Sequence, residues 1–179
     1  MRRKTILISG RSGVGKDTFA NELAKQLEDK GYNCLILHNA DPAKWILEVE
    51  GITNYKTPEG KKAIMDVTNF CYGLDPYYFE NHMEERLRRF QEQYDEKVEF
   101  LIIPDWRYVS TFVYHMFTAF TIFLTRPETS YDLGKIAKQK EQKLLSEIKP
   151  FVHTKLELKG LDQLKNQVGD YIAECLHIV

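Results

Sequence analysis

Residues 5–19, TILISGRSGVGKDTF, run from a short apolar stretch into a glycine loop and on into a helix-forming segment. An apolar run that ends in Gly10 suits a parallel strand buried on both faces. From Asp17 onward, Phe19, Ala20, Leu23, Ala24 and Leu27 recur at helical spacing, and Gly31 offers a C-terminal stop. A second buried strand is expected at 33–38, NCLILH. Strand, glycine turn, helix and strand make a βαβ unit of about 30 residues.

The loop nearly fills the phosphate-loop template G-x-x-x-x-G-K-[ST] with Gly10, Gly15 and Lys16, but Asp17 stands where a hydroxyl is required. Backbone N–H groups of residues 11–16, among them Ser12, Gly13 and Val14, can wrap an anion, because glycine opens turns closed to other residues. The helix that follows adds its positive N-terminal end, and Lys16 can reach the outer phosphates. A carboxylate is repelled by bare phosphate. Asp17 therefore holds Mg²⁺ through water, orients Lys16, or serves as a helix-terminal acid. Thr18 is the nearest hydroxyl, one helical position round.

Asp41-Pro42, Thr57-Pro58 and Asp75-Pro76 each put a capping oxygen before a proline and predict three helix starts. The first two helices should stop near Gly51 and Gly73. The third should turn Phe79, Met83, Leu87 and Phe90 inward and pair Glu84 with Arg88 and Glu85 with Arg89. Strands are expected at 98–104, 120–125 and 151–158, with a helix around 108–117. A C-terminal helix should bury Leu161, Leu164, Val168, Tyr171 and Ile172. Strands alternating with helices predict an α/β fold, a five-stranded parallel sheet with helices on both faces.

Asp105 closes the strand FLIIP, at the C-terminal edge where open α/β sheets bind ligands, and an acid there suits Mg²⁺. Arg107, two residues on, offers a planar fork to phosphate. Arg126 ends another strand, before a Lys-rich segment at 128–149 that suits a lid or a solvated face. The histidines at 38, 82, 115, 153 and 177 show no metal-ligand spacing and are expected to do structural or surface work.

A length of 179 residues fits one domain with a full core, 1–179. A net charge of -1 gives no support for nucleic-acid or membrane partners, which select a basic surplus. Cys34, Cys71 and Cys175 form no C-x-x-C pair and read as reduced thiols. The apolar run at the N-terminus is too short for a signal peptide, so a complete cytoplasmic chain is expected.

The sequence GKDT, a later strand ending PDWR and another ending RP together resemble the bacteriophage deoxynucleoside monophosphate kinases. More distantly, GKD, a D-x-R strand end and Pro42-Ala43-Lys44 are similar to animal-type phosphomevalonate kinases. Both groups have the nucleoside monophosphate kinase-like P-loop fold. The resemblance implies ATP at residues 10–18, an acceptor site from the helices between 41 and 73, and a lid at 127–150. It implies catalytic roles for Lys16, Asp105 and Arg126, Mg²⁺ at Asp17 and Asp105, and acceptor contacts from Lys44, Lys56 and Arg107. Asp17 then reads as the signature of that branch. The relatives tend to carry an acid early in the helix after DWR, where this chain has Ser110 and Thr111. The expected reaction moves the γ-phosphoryl group of ATP onto a small phosphate acceptor, first of all a deoxynucleoside monophosphate. The rivals are a kinase for a non-nucleotide phosphate such as phosphomevalonate and an ATP-binding regulatory or sensor protein. A homodimer is compatible with the sequence.

Overall fold

The computed structural model describes residues 3–55, 57–95, 97–126 and 135–177. Five strands form one parallel sheet: β1 (Lys4–Gly10), β2 (Cys34–Ile36), β3 (Phe100–Ile103), β4 (Ala119–Thr125) and β5 (Thr154–Glu157), in the order β2-β3-β1-β4-β5. Seven helices are described: α1 (Lys16–Glu28), α2 (Asp41–Val49), α3 (Pro58–Leu74), α4 (Tyr78–Tyr94), α5 (Val109–His115), α6 (Lys135–Ile148) and α7 (Leu161–Cys175).

Strand alternation sorts the core into two layers. Ile6, Ile8, Phe100 and Ile102 face α1 and α7, where they meet Phe19, Leu23 and Val168. Leu7, Leu101 and Ile103 face the opposite side and meet Met83 and Leu87 of α4 and Leu145 and Ile148 of α6. Burial on both faces is why β1 and β3 read as unbroken apolar runs. A smaller cluster of Ala43, Cys71 and Phe79 joins α2, α3 and α4 into a helical layer beside the sheet. The chain visits β2 and β3 on one side of β1 and then crosses to β4 on the other. The C-terminal edge of β1 is therefore the point where strand order reverses, the place at which open α/β sheets generally bind ligands.

Several local expectations shift, each through a long-range contact. The strand expected at 33–38 is regular only over Cys34–Ile36. Leu37 N still donates to Ile102 O at 3.0 Å, but Asn39 N and Ala40 N donate to the side chain of Asp105 instead of to a strand. Asp41 is not a cap: Ala40 precedes α2, and Asp41 in the first turn pairs with Lys44 and Arg86. Thr57 caps as expected, its hydroxyl accepting from Gly60 N at 3.1 Å. Asp75 accepts from Tyr77 N, and α4 begins only at Tyr78. Glu84 pairs with Arg3 at the start of β1, so Arg88 pairs with Glu85 and Glu92 instead. Leu161, expected inward, opens α7 at 72% exposure. The cysteines are free thiols. Of the expected lid, 127–134 lies outside the described residues, while Leu145 and Ile148 of α6 are buried in the second core layer. Among the described residues, no helix is long and apolar enough to cross a membrane.

Candidate active site

The glycine loop is fixed by what surrounds it. At Gly10 the backbone adopts φ 144, and a Cβ there would collide with the carbonyl oxygen of Leu124 on β4. Gly13 (φ 78) and Gly15 (φ 102) hold the left-handed turns that a side chain resists. Val14, 1% exposed, plugs the loop into the core. No side chain caps α1, so its first N–H groups stay with the loop, in the cradle an anion fits. Lys16 Nζ donates to Gly10 O at 3.1 Å and Arg11 O at 2.9 Å, which holds the ammonium over that cradle.

Asp17 sits in the first turn of α1, exposed to solvent, with Oδ1 3.8 Å from His38 Nδ1. It makes no capping bond. It lines the cleft described below, whereas Thr18 is exposed and lines neither cleft. His38, expected at the surface or in the structure, faces this site.

Asp105 is held by the main chain. Its two carboxylate oxygens accept from Asn39 N and Ala40 N, both at 2.8 Å, and so tie the end of β3 to the turn before α2. Trp106 explains the presentation of its neighbours. Its side chain is fully buried, its N donates to Ile8 O at 3.0 Å, and Nε1 donates to Tyr108 O at 2.8 Å. With Trp106 anchored inward, Asp105 and Arg107 both line the same cleft.

That cleft, of about 250 Å³, joins the glycine loop to the helical layer. Ser12, Lys16 and Asp17 form its loop wall, and Lys44, Lys61 and Arg107 supply cations from α2, α3 and the turn after β3. Ile64, Met65 and the ring of Tyr108 give it an apolar side. The ring lies against Tyr72 with centroids 4.0 Å apart, and its hydroxyl donates to Asn69 Oδ1 at 3.0 Å. Lys44 also donates to Asp41 Oδ1 at 3.1 Å. Burial pushes the Asp41 carboxyl up, but Arg86 and Lys44 outweigh it and hold the acid below its ordinary range.

Arg126 belongs to a second cleft, of about 460 Å³, on the other side of the loop. Arg11 and Val14 line it together with Leu145, Lys149 and Lys155. The structure thus brings Lys16, Asp17, Lys44, Asp105 and Arg107 into one cleft and leaves Arg126 in its neighbour. Lys56 lies outside the described residues.

Sequence reasoning missed Lys61, Asn39 and Tyr108. Lys61, Ile64, Met65 and Thr68 recur at one helical face of α3 and all line the cleft. That spacing was visible; the face it turns to the loop was not. Of the aromatic residues between 45 and 78, Trp45 and Phe70 are 64% and 67% exposed and line none of this cleft.

Behind the cleft lies a buried polar chain. Glu80, fully buried on α4, accepts at Oε1 from Thr111 Oγ1 at 2.5 Å and from Tyr72 OH at 3.0 Å. Burial raises its carboxyl above the ordinary value of 4.5, against the lowering effect of those hydroxyls. Thr111 Oγ1 in turn accepts from Asn39 Nδ2 at 3.2 Å.

The arrangement gathers the glycine loop, Lys16, Lys44, Lys61 and Arg107 around one cleft, a cationic setting that suits anions. Among the described residues no group of three or more His, Cys, Asp or Glu could hold a metal alone. A Mg²⁺ ion here would need phosphate and water oxygens besides Asp17 and Asp105, as that ion generally does.

The family model described as "Novel STAND NTPase 3" matches residues 1–54, the strand–loop–helix–strand unit with α2. No curated protein matches the chain in sequence. Among solved structures it is similar to a shikimate kinase from Acinetobacter baumannii in complex with shikimate, at 12% identity and TM-score 0.53, over 98% of this chain and 94% of that one. A gluconokinase from Sinorhizobium meliloti 1021 is similar at 14% identity and TM-score 0.50, over 98% of each chain. Together with the parallel sheet and the glycine loop, these likenesses define an α/β P-loop NTPase fold.

Proposed function

We propose that the chain is an ATP-dependent phosphotransferase that moves the γ-phosphoryl group onto the phosphate of a deoxynucleoside monophosphate. In this reading residues 1–179 act as one kinase domain, with the acceptor region at 41–73. The carrying observation is the single cleft that Lys16 and Ser12 of the loop line together with Lys44, Lys61 and Arg107. Transfer between two phosphates needs donor and acceptor anions brought together with their charge neutralised. Cations from the loop, α2, α3 and the turn after β3 gathered in one cleft meet that need.

The loop and Lys16 would hold ATP, with Mg²⁺ among the phosphates near Asp17 and Asp105, where it would offset the repulsion of two carboxylates. Bound Mg²⁺ would neutralise charge on the phosphates as they react. Lys44, Lys61 and Arg107 would bind the acceptor phosphate. Arg126, on the flanking cleft beside α6, would serve the donor side. Tyr108, packed on Tyr72 and pinned by Asn69, offers a rigid ring on which a base can stack. A phosphomevalonate-like acceptor makes no use of that ring.

The test is a panel of monophosphates assayed for ATP-dependent ADP release. Deoxynucleoside monophosphates should outperform phosphomevalonate. Turnover of phosphomevalonate alone would reassign the acceptor, and ATP hydrolysis indifferent to every acceptor would favour a sensor.

A further inference from the structure

We propose that the side-chain carbonyl of Asn39 accepts a hydrogen bond from an N–H or O–H group of the bound nucleoside monophosphate and so selects the acceptor. The inference rests on the acceptor class proposed above. Asn39 is 2% exposed, lines the cleft and donates its backbone N–H to Asp105. Its amide is committed at one end only. Nδ2 donates to Thr111 Oγ1, whereas Oδ1 is buried with no hydrogen-bond partner among the described residues.

The orientation of that amide is imposed from behind. A threonine hydroxyl has one proton, and Thr111 gives it to Glu80 Oε1, which the Tyr72 hydroxyl also reaches. Thr111 can then only accept, so it must face the amide nitrogen of Asn39 rather than its oxygen. Glu80 of α4 thus acts on the cleft through Thr111. A buried carbonyl without a donor is costly, and one on a residue that lines a cleft can be completed by a ligand there.

The chemistry of the acceptor narrows what that donor is. An ionised phosphate has only acceptor oxygens and would be repelled by the carbonyl, and its place is beside Lys44, Lys61 and Arg107. The group facing Asn39 is therefore on the base or the sugar.

The experiment uses the deoxynucleoside monophosphate turned over best, its 3′-deoxy analogue, and the analogue methylated at the N–H of its base. Binding is measured by calorimetry and turnover by ADP release. The wild-type protein should disfavour one analogue by about tenfold or more, as loss of one hydrogen bond in a dry site implies. The analogue that suffers tells whether sugar or base is read. Asn39→Leu should weaken the parent compound to the level of that analogue and leave the ATP KM unchanged. Thr111→Val, which keeps Asn39 but frees its amide, should reduce the same discrimination, and it decides the matter if Asn39→Leu does not fold. Wild-type-like discrimination in the folded variants, or no discrimination in the wild-type protein, overturns the inference alone. A protein that binds ATP but none of the monophosphates overturns the acceptor class, and this inference with it.

Discussion

Lys61 Nζ donates to Ser12 Oγ at 3.4 Å, so a cation from the first turn of α3 reaches the glycine loop. The Thr57 cap and Pro58 fix where that turn begins and hence where Lys61 points. Lys61→Ala should leave the fold intact and lower kcat/KM for the acceptor by roughly tenfold to a hundredfold, the range for losing a charge-assisted contact near the reacting phosphates. Lys61→Arg should recover part of the loss. Steady-state kinetics with acceptor varied at saturating ATP reads it, and unchanged kinetics would put α3 outside the acceptor site.

How far the sequence foretold this site depends on the range of the contacts that build it. The glycine loop was legible because strand, turn and helix are contiguous, and both faces of β1 are buried. Asp105 and Arg107 were legible from their place at a strand end. What Asp105 does there was not, because its partners, Asn39 and Ala40, lie 66 and 65 residues away. The same contact ends β2 early. Glu84 could not be assigned to Arg3 by helical spacing, since that pair closes across 81 residues. Glu80 is a polar residue on a helix rich in charge, and nothing local marks it as the buried one. Lys61 and Tyr108 were hidden for a related reason: helical phase shows which residues share a face, but not what that face meets.

Asp105→Asn tests the double duty of this carboxylate. Sequence alone suggests a substitution that costs activity far more than folding stability. In the structure both oxygens accept backbone N–H groups, so an amide must turn its NH₂ toward Asn39 N or Ala40 N, donor against donor. Leaving one buried donor unmatched costs about 1–3 kcal/mol. The variant should therefore melt lower than wild type and also lose activity, and adding Mg²⁺ should restore neither. A variant with unchanged melting would mean that the turn before α2 does not depend on this contact.

Two buried groups give the stability opposite pH dependences. His115, 5% exposed, contacts Thr5 Oγ1 through Nδ1 at 3.5 Å, and burial together with nearby Arg3 lowers its pKa from 6.5 to about 4. A depressed pKa in the folded state means stability that is present above pH 6.5 and is lost as pH falls to about 4. The full loss is on the order of 3 kcal/mol. Glu80 runs the other way. Its raised pKa gives stability that is present below pH 4.5 and is lost as pH rises through the folded-state value. In melting curves from pH 4 to 8, His115→Gln should flatten the acid limb. Glu80→Gln should gain on wild type as pH rises above 4.5. Parallel profiles for wild type and both variants would show that neither group controls the pH dependence.

Arg107→Lys separates geometry from charge at the acceptor. Arg107 follows the buried Trp106 anchor and shares its cleft with Lys44 and Lys61, so its planar fork can meet a phosphate with two parallel hydrogen bonds. Lysine keeps the charge but not the fork, and it is a point donor on a flexible stem. The acceptor KM should rise by about tenfold, with a smaller change in the ATP KM, because the glycine loop and Lys16 are untouched. Arg107→Ala should add a further loss in kcat, since the charge is then missing when the two phosphates approach each other. Full kinetics with each substrate varied in turn gives both constants. If the substitutions weakened ATP alone, Arg107 would belong to the donor side, and the acceptor phosphate would have to be held by the two lysines.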